Sequence, residues 1–125
     1  MKNEHFIELT KEHIHQATHH NIGYLQKMYS DKLMIVMVDE NDQVNTMNKE
    51  QTIAFFQDRL DSGIEPLSEK SKFLFSDGDD SSAMVIVSRE MKFNGRLEKM
   101  LFTLIWEYNE NGWQVVKEST AVKPI

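Results

Sequence analysis

Three side chains that could do chemistry fall where the apolar pattern of the chain would bury them: Glu118, His13 and Arg89. Glu118 lies in WQVVKESTAV, a stretch of strand length. If Val116, Glu118, Thr120 and Val122 face inward, the carboxylate sits among apolar walls, its pKa rises, and it becomes a candidate general acid or base. The opposite register turns Lys117 and Ser119 inward and leaves Glu118 in solvent, because a slip of one residue reverses every face. His13 sits in a helical stripe between Leu9 and Ala17, where an imidazole can donate a hydrogen bond or exchange a proton near neutral pH. The plainer reading is a core-edge histidine bonded to the backbone or a neighbour. Arg89 is a lone charge in the run Ala83–Met91, suited to pairing across the sheet with Glu107 or Glu118, or to anchoring an acidic ligand. Tyr24 and Tyr29 offer hydroxyls that line a pocket, or core rings with the hydroxyl at the rim.

The histidine-rich segment raises metal binding. Glu8, Glu12, His15 and His19 share one helix face, and His15 and His19 have the i, i+4 spacing of a two-histidine ligand pair. That face is the polar one, and the spacing supplies no enclosing third ligand. It reads as a solvated surface with adventitious zinc or nickel affinity, so no metal or cofactor is expected. Seven of the eight methionines fall in or beside the apolar segments. Methionine adapts to irregular gaps and to varied apolar ligands, though ordinary core packing uses it equally. The candidate ligand pocket comprises Tyr24, Met37, Phe56, Arg89, Phe102, Leu104, Trp106 and Glu118.

These residues must be positioned by recognisable elements. Residues 3–20 have a helical stripe of Phe6, Leu9, Thr10, His13, Ala17 and His20. Asn21 caps a second short helix through Tyr29, and Ser30-Asp31 ends it. Leu33–Val38 is an apolar run of strand length, DENDQ a turn, and Val44–Met47 a short return strand. Asn48 and Gln51 have capping-box spacing for a third helix with Ile53, Phe56 and Leu60 on its core face, stopped at Ser62-Gly63. Strands follow at Ser71–Ser76, Ala83–Phe93, Leu97–Tyr108 and Trp113–Val122. Asn94-Gly95 is a two-residue hairpin turn between the middle pair. Both prolines, at 66 and 124, fall outside these elements. Helices segregated from a meander predict an α+β fold: a curved antiparallel sheet of four to six strands wrapped, as a cone, around three helices in the N-terminal half.

Composition narrows the field. A chain of 125 residues suits one domain, taken as 1–125. A net charge of −6 argues against binding a phosphate backbone, so no nucleic-acid partner is expected. The absence of cysteine excludes disulfides and thiol catalysis. No segment nears the roughly 20 apolar residues that span a bilayer, and the N-terminus lacks a signal-like run; no membrane association and a cytoplasmic location are expected. Met100–Ile105 is apolar on both faces apart from Thr103. With Phe102, Leu104 and Trp106 turned to the helices, Leu101, Thr103 and Ile105 face out, and Val85, Val87 and Val115 are expected to extend that patch. An exposed apolar patch of several hundred Å2 is unusual on a monomer. A homodimer through the outer sheet face is expected.

The element order, with KMYSDKLMIVMV at 27–38, NKEQTIAFF at 48–56 and NGWQVVKESTAV at 111–122, resembles the nuclear transport factor 2-like superfamily. The likeness is to its SnoaL-like and calmodulin-kinase-association-like branches, and it implies a cystatin-like cone. That superfamily hosts isomerases, cyclases, hydrolases, dehydratases and plain binding or assembly modules, so fold leaves function open. The ketosteroid isomerase relatives carry a base on the strand matching 33–38, where this chain has Met37. They carry an acid and a tyrosine at positions resembling Leu104 and His13. Other branches carry a histidine where Ser119 stands. The expected function is therefore small-molecule binding in an apolar pocket between helices and sheet. The alternatives are a SnoaL-like enzyme using proton transfer, and a non-catalytic dimeric assembly module with a filled core.

Overall fold

The computed structural model describes residues 2–66, 68–93 and 95–124. Three helices, α1 (Lys2–Thr18), α2 (Ile22–Met28) and α3 (Lys49–Asp61), alternate early with two strands, β1 (Tyr29–Val38) and β2 (Val44–Met47). Four longer strands close the chain: β3 (Ser71–Gly78), β4 (Ser82–Phe93), β5 (Arg96–Asn109) and β6 (Gly112–Pro124). They form one curved six-stranded sheet in the order β2-β1-β6-β5-β4-β3, with the helices on its inner face. Every neighbouring pair is antiparallel except β1 and β6, which run parallel. That pair joins the first strand to the last, so the three-helix half of the chain is locked onto the meander.

The helix starts follow their capping chemistry. Asn21 accepts a hydrogen bond from the Tyr24 amide at 3.2 Å, and Asn48 and Gln51 form a reciprocal capping box. The first helix ends two residues sooner than its stripe predicts, with His20 turning the chain at a φ of 56°. The end of α2 passes straight into β1 through Tyr29, whose backbone is extended, so the strand starts four residues before Leu33. On α3, Leu60 is 46% exposed and leaves the core face, which is held by Thr52, Ile53 and Phe56. Pro124 is the last residue of β6 and lies in register with Glu98, inside the sheet after all. Asn94, the expected first residue of the β4–β5 turn, lies outside the described residues.

Two register details decide which side chains point inward. Val85 lies directly opposite Leu104, so the two share a sheet face. Val85 and Val87 are therefore fully buried, not part of the outer patch. In β6 the pairing slips between Ile105/Lys117 and Trp106/Val115, leaving Val116 as the extra residue of a bulge. The bulge reverses the alternation, so Val115 is inward on one side of it and Glu118, Thr120 and Val122 are inward on the other. Val115 is thus corrected from outer face to core. The outer face instead carries Leu101, Thr103 and Ile105 beside Met84, Ile86 and Phe75, with Met34, Val36 and Val38 across β6.

Candidate functional site

The helices and the sheet do not meet everywhere. Between them lies a cavity of about 350 Å3. A void able to hold one water needs only roughly 10–15 Å3 on that measure, so this space is many times larger than a packing defect. The wall is contributed by the second half of α1, by α3, and by every strand except β3; Asn45, an exposed residue of β2, marks where it meets the surface. Most of the wall is apolar: Met37, Met91, Met100, Phe102, Leu104 and Phe56 are characteristic.

Set into that wall are His13, Tyr29, Arg89 and Glu118, one titratable group each from α1, β1, β4 and β6. Glu118 is surrounded by protein yet keeps some accessible surface, because that surface opens on the cavity. Loss of hydration pushes its carboxyl up to about 7, against the pull of the Arg89 charge. The Arg89 guanidinium is buried, and burial lowers its pKa while Glu118 and Glu69 raise it. Its Nη2 donates to the Ser68 carbonyl at 2.7 Å and its Cζ lies 5.2 Å from the centre of the Phe102 ring. Its Nε has no hydrogen-bond partner among the described residues. The ion pair expected between Arg89 and Glu107 does not form: Glu107 pairs with Lys32 at 2.9 Å instead. Arg89 and Glu118 feel each other electrostatically across the cavity wall.

His13 is held in a cage of rings, with Tyr29 at 5.1 Å, Trp106 at 5.5 Å and Tyr24 at 5.8 Å between centroids. Burial, and then the Arg89 charge, lower its pKa to about 4. The imidazole is therefore neutral near pH 7. Its Nδ1, like the Tyr24 hydroxyl, has no partner among the described residues. Burial first, then Glu118 and Tyr24, raise the Tyr29 phenol well above its ordinary value, so it stays protonated and can donate. Of the four titratable groups on the wall, only Glu118 changes charge close to neutral pH.

Of the eight pocket candidates, six lie on the wall: Met37, Phe56, Arg89, Phe102, Leu104 and Glu118. Two do not. Trp106 is fully buried and its Nε1 donates to Thr10 Oγ1 at 3.0 Å, which ties it to the first half of α1, one turn before the cavity begins at His13. Tyr24 is on α2, which contributes no described residue to the wall. Wall residues that sequence reasoning passed over include Thr18 of α1, Thr52 of α3 and Asn45 of β2, while Ala17 was placed on the inward stripe of α1 without being named for the pocket. Tyr29 was read as a helix residue. Its strand position follows from the abrupt α2-to-β1 passage, for which no proline or glycine gives a local signal.

The polar face of α1 also departs from expectation. Glu8 pairs with Lys11 and Glu12 accepts from Gln16, both within the helix. His15 and His19 face Glu69, from the segment that leads into β3.

No model of a known protein family matches the chain, and no curated protein matches it. Solved structures do. An NTF2-like protein of unknown function from Silicibacter pomeroyi is 18% identical, with 98% of this chain and 99% of that one covered and a TM-score of 0.73. An NTF2-like protein from Cytophaga hutchinsonii is 16% identical over the same shares, with a TM-score of 0.76. An NTF2-like protein of unknown function from Shewanella baltica is 18% identical, covering 95% of this chain and 91% of that one, with a TM-score of 0.67. At such identities the likeness establishes the architecture and leaves the chemistry to the site.

Proposed function

This chain has the nuclear transport factor 2-like fold, and on that frame we propose that it binds a small, mostly apolar molecule bearing one acidic or oxygen-rich end. The observation that carries the reading is the hollow cone itself, with Arg89 Nε unpartnered at its wall. Ligand sites are typically clefts of roughly 300–1,000 Å3 with apolar walls and a few convergent polar groups. The methionines and Phe102 take the apolar body, and Arg89 takes the acidic end. Glu118 sets the pH range. Ionised, it repels a carboxylate; protonated, it donates to one. Affinity for an acid therefore falls as pH rises through about 7.

The test is a thermal-shift comparison of decanoate with decanol. Decanoate is expected to raise the melting temperature more than decanol at pH 6, with the difference shrinking at pH 8 and vanishing in Arg89→Met. A ligand at a hundredfold its Kd stabilises by about 2.7 kcal/mol, well within reach of the method. Equal shifts for both probes at pH 6, or a decanoate preference that survives Arg89→Met, would sink the assignment of Arg89.

We also propose that two copies pair through the outer sheet face. Leu101 and Met84 are 42% and 40% exposed there, beside Ile105 and Ile86. Apolar surface of this extent is stabilised by a twofold, sheet-to-sheet contact. Sedimentation at micromolar concentration is expected to give a dimer, and Leu101→Glu a monomer that keeps the native circular dichroism. A monomeric wild type contradicts the pairing.

A further inference from the structure

The cluster of His15, His19 and Glu69 lies outside the cavity and serves none of its chemistry. His15 and His19 stand one turn apart on α1, with ring centroids 4.4 Å apart. Glu69 reaches them from the connector before β3, with one carboxylate oxygen 2.9 Å from His15 Nδ1 and the other 3.6 Å from His19 Nδ1. One donor atom from each of the three lies within 4.8 Å of the others. In a tetrahedral zinc site, bonds of about 2.0–2.2 Å set the donor atoms roughly 3.4 Å apart. The distance from His15 Nδ1 to its Glu69 oxygen, 2.9 Å, lies close to that value. All three side chains are exposed, so each can make the small rotation needed.

We propose that His15, His19 and Glu69 bind one zinc-class divalent ion, which fastens the connector before β3 to α1. Two imidazoles and a carboxylate suit Zn2+ and leave a fourth position for water. The His19 ring is already oriented, with Nδ1 2.9 Å from the His15 carbonyl oxygen and 3.2 Å from Thr18 Oγ1. Such a backbone partner on one ring nitrogen leaves the other free for metal. From the first residue of β3, Ser71 Oγ donates to the Glu69 carbonyl, and on the connector Ser68, next to Glu69, gives its carbonyl to Arg89. The ion thus secures the strand-entry segment whose backbone holds the cavity's cation. The proposal stands whether or not the cavity takes a ligand.

The experiment is isothermal titration of the untagged full chain with zinc chloride, beside His19→Ala and Glu69→Gln, together with hydrogen exchange over residues 68–72. The wild type is expected to take up one ion per chain and to slow exchange in that segment. His19→Ala is expected to lose the site, and Glu69→Gln to weaken it by about tenfold or more, a loss seen even for outer-sphere partners. These surface variants leave the core intact, so their folding is checked by unchanged melting without zinc. No saturable binding by the wild type overturns the site. So does equal affinity in Glu69→Gln, which would leave only the helix histidine pair, or exchange over 68–72 that zinc does not slow.

Discussion

Trp106→Ala is expected to cost about 3–5 kcal/mol of folding stability, the range for deleting a large buried aromatic side chain. The indole is fully buried, stacks edge-on against His13, and is the hydrogen-bond partner of the buried Thr10 hydroxyl. Its loss opens a void in the core cluster and leaves Thr10 without that partner. Domains of this size are stable by about 5–15 kcal/mol, so the variant stands near the edge of folding. Trp106→Phe keeps most of the apolar volume and is expected to cost about 1–2 kcal/mol, largely for the unpaired hydroxyl. Urea unfolding checks both: the midpoint should fall in that order while the slope stays constant. A Trp106→Ala midpoint within experimental scatter of wild type would show that the indole is not the keystone described.

The second large effect is a pair of opposite pH dependences. Glu118 is held near 7 in the folded chain, above its value of 4.5 when unfolded. Folding then binds a proton between those values, so the stability contributed by Glu118 is complete below about 4.5 and is lost as pH rises through 7. At about 1.36 kcal/mol per pH unit the loss is at most about 3 kcal/mol, and less to the extent that water reaches the cavity. His13 works the other way. Its folded value of about 4 lies below the unfolded 6.5, so its contribution is complete above 6.5 and is lost as pH falls through 4. The titratable groups facing these two are Arg89 from β4, Tyr29 from β1 and, against His13, Tyr24 from α2, whose phenol is held above its ordinary value by burial; none changes charge in that range. The two terms offset each other around pH 5–6 in the wild type. Glu118→Gln is expected to be more stable than wild type at pH 8 by about 1–3 kcal/mol and equal to it at pH 4. His13→Phe removes the opposing term and is expected to gain on wild type as pH falls below 6. Unfolding curves across pH 4–8 check both; a Glu118→Gln difference that is flat with pH contradicts the buried, cavity-facing carboxylate.

Much of this was legible before any coordinates. The alternation in WQVVKESTAV put Glu118, Thr120 and Val122 on one face but left open whether that face or the one with Lys117 and Ser119 turned inward; in the structure Glu118 and Thr120 line the cavity, as does Leu104 of β5. The capping residues Asn21 and Asn48 located two helix starts to the residue. What failed was parity between strands. The pairing of β4 with β5 sets Val85 opposite Leu104 and Val87 opposite Phe102, as the two-residue turn read at Asn94-Gly95 implies, and this puts both valines inside. That inference was available from the sequence. The bulge at Val116 was not, because nothing in Gln114-Val115-Val116 marks an extra residue, and it sent Val115 to the core. The third member of the histidine cluster was equally hidden. Glu69 is 50 residues from His19, and only the packing of β3 against α1 brings them together. Trp106 was misplaced for a related reason: alternation showed the face it occupies but not how far along the cone the helix withdraws from the sheet. The hollow starts beyond Thr10, and that depends on the α1–sheet angle, which no local pattern encodes.

The central claim is that the interior of the cone is a binding site. Its most direct test is calorimetric titration of decanoate at pH 6 into the wild type and into Ala17→Trp. Ala17 lies on the cavity wall, on the helix side, so an indole there fills the void without disturbing the sheet register. The account predicts one saturable site in the wild type, lost in Ala17→Trp while that variant melts at or above the wild-type temperature. Equal binding by a folded Ala17→Trp would place the ligand outside the cavity, and with it would fall the reading of the cavity as the functional centre.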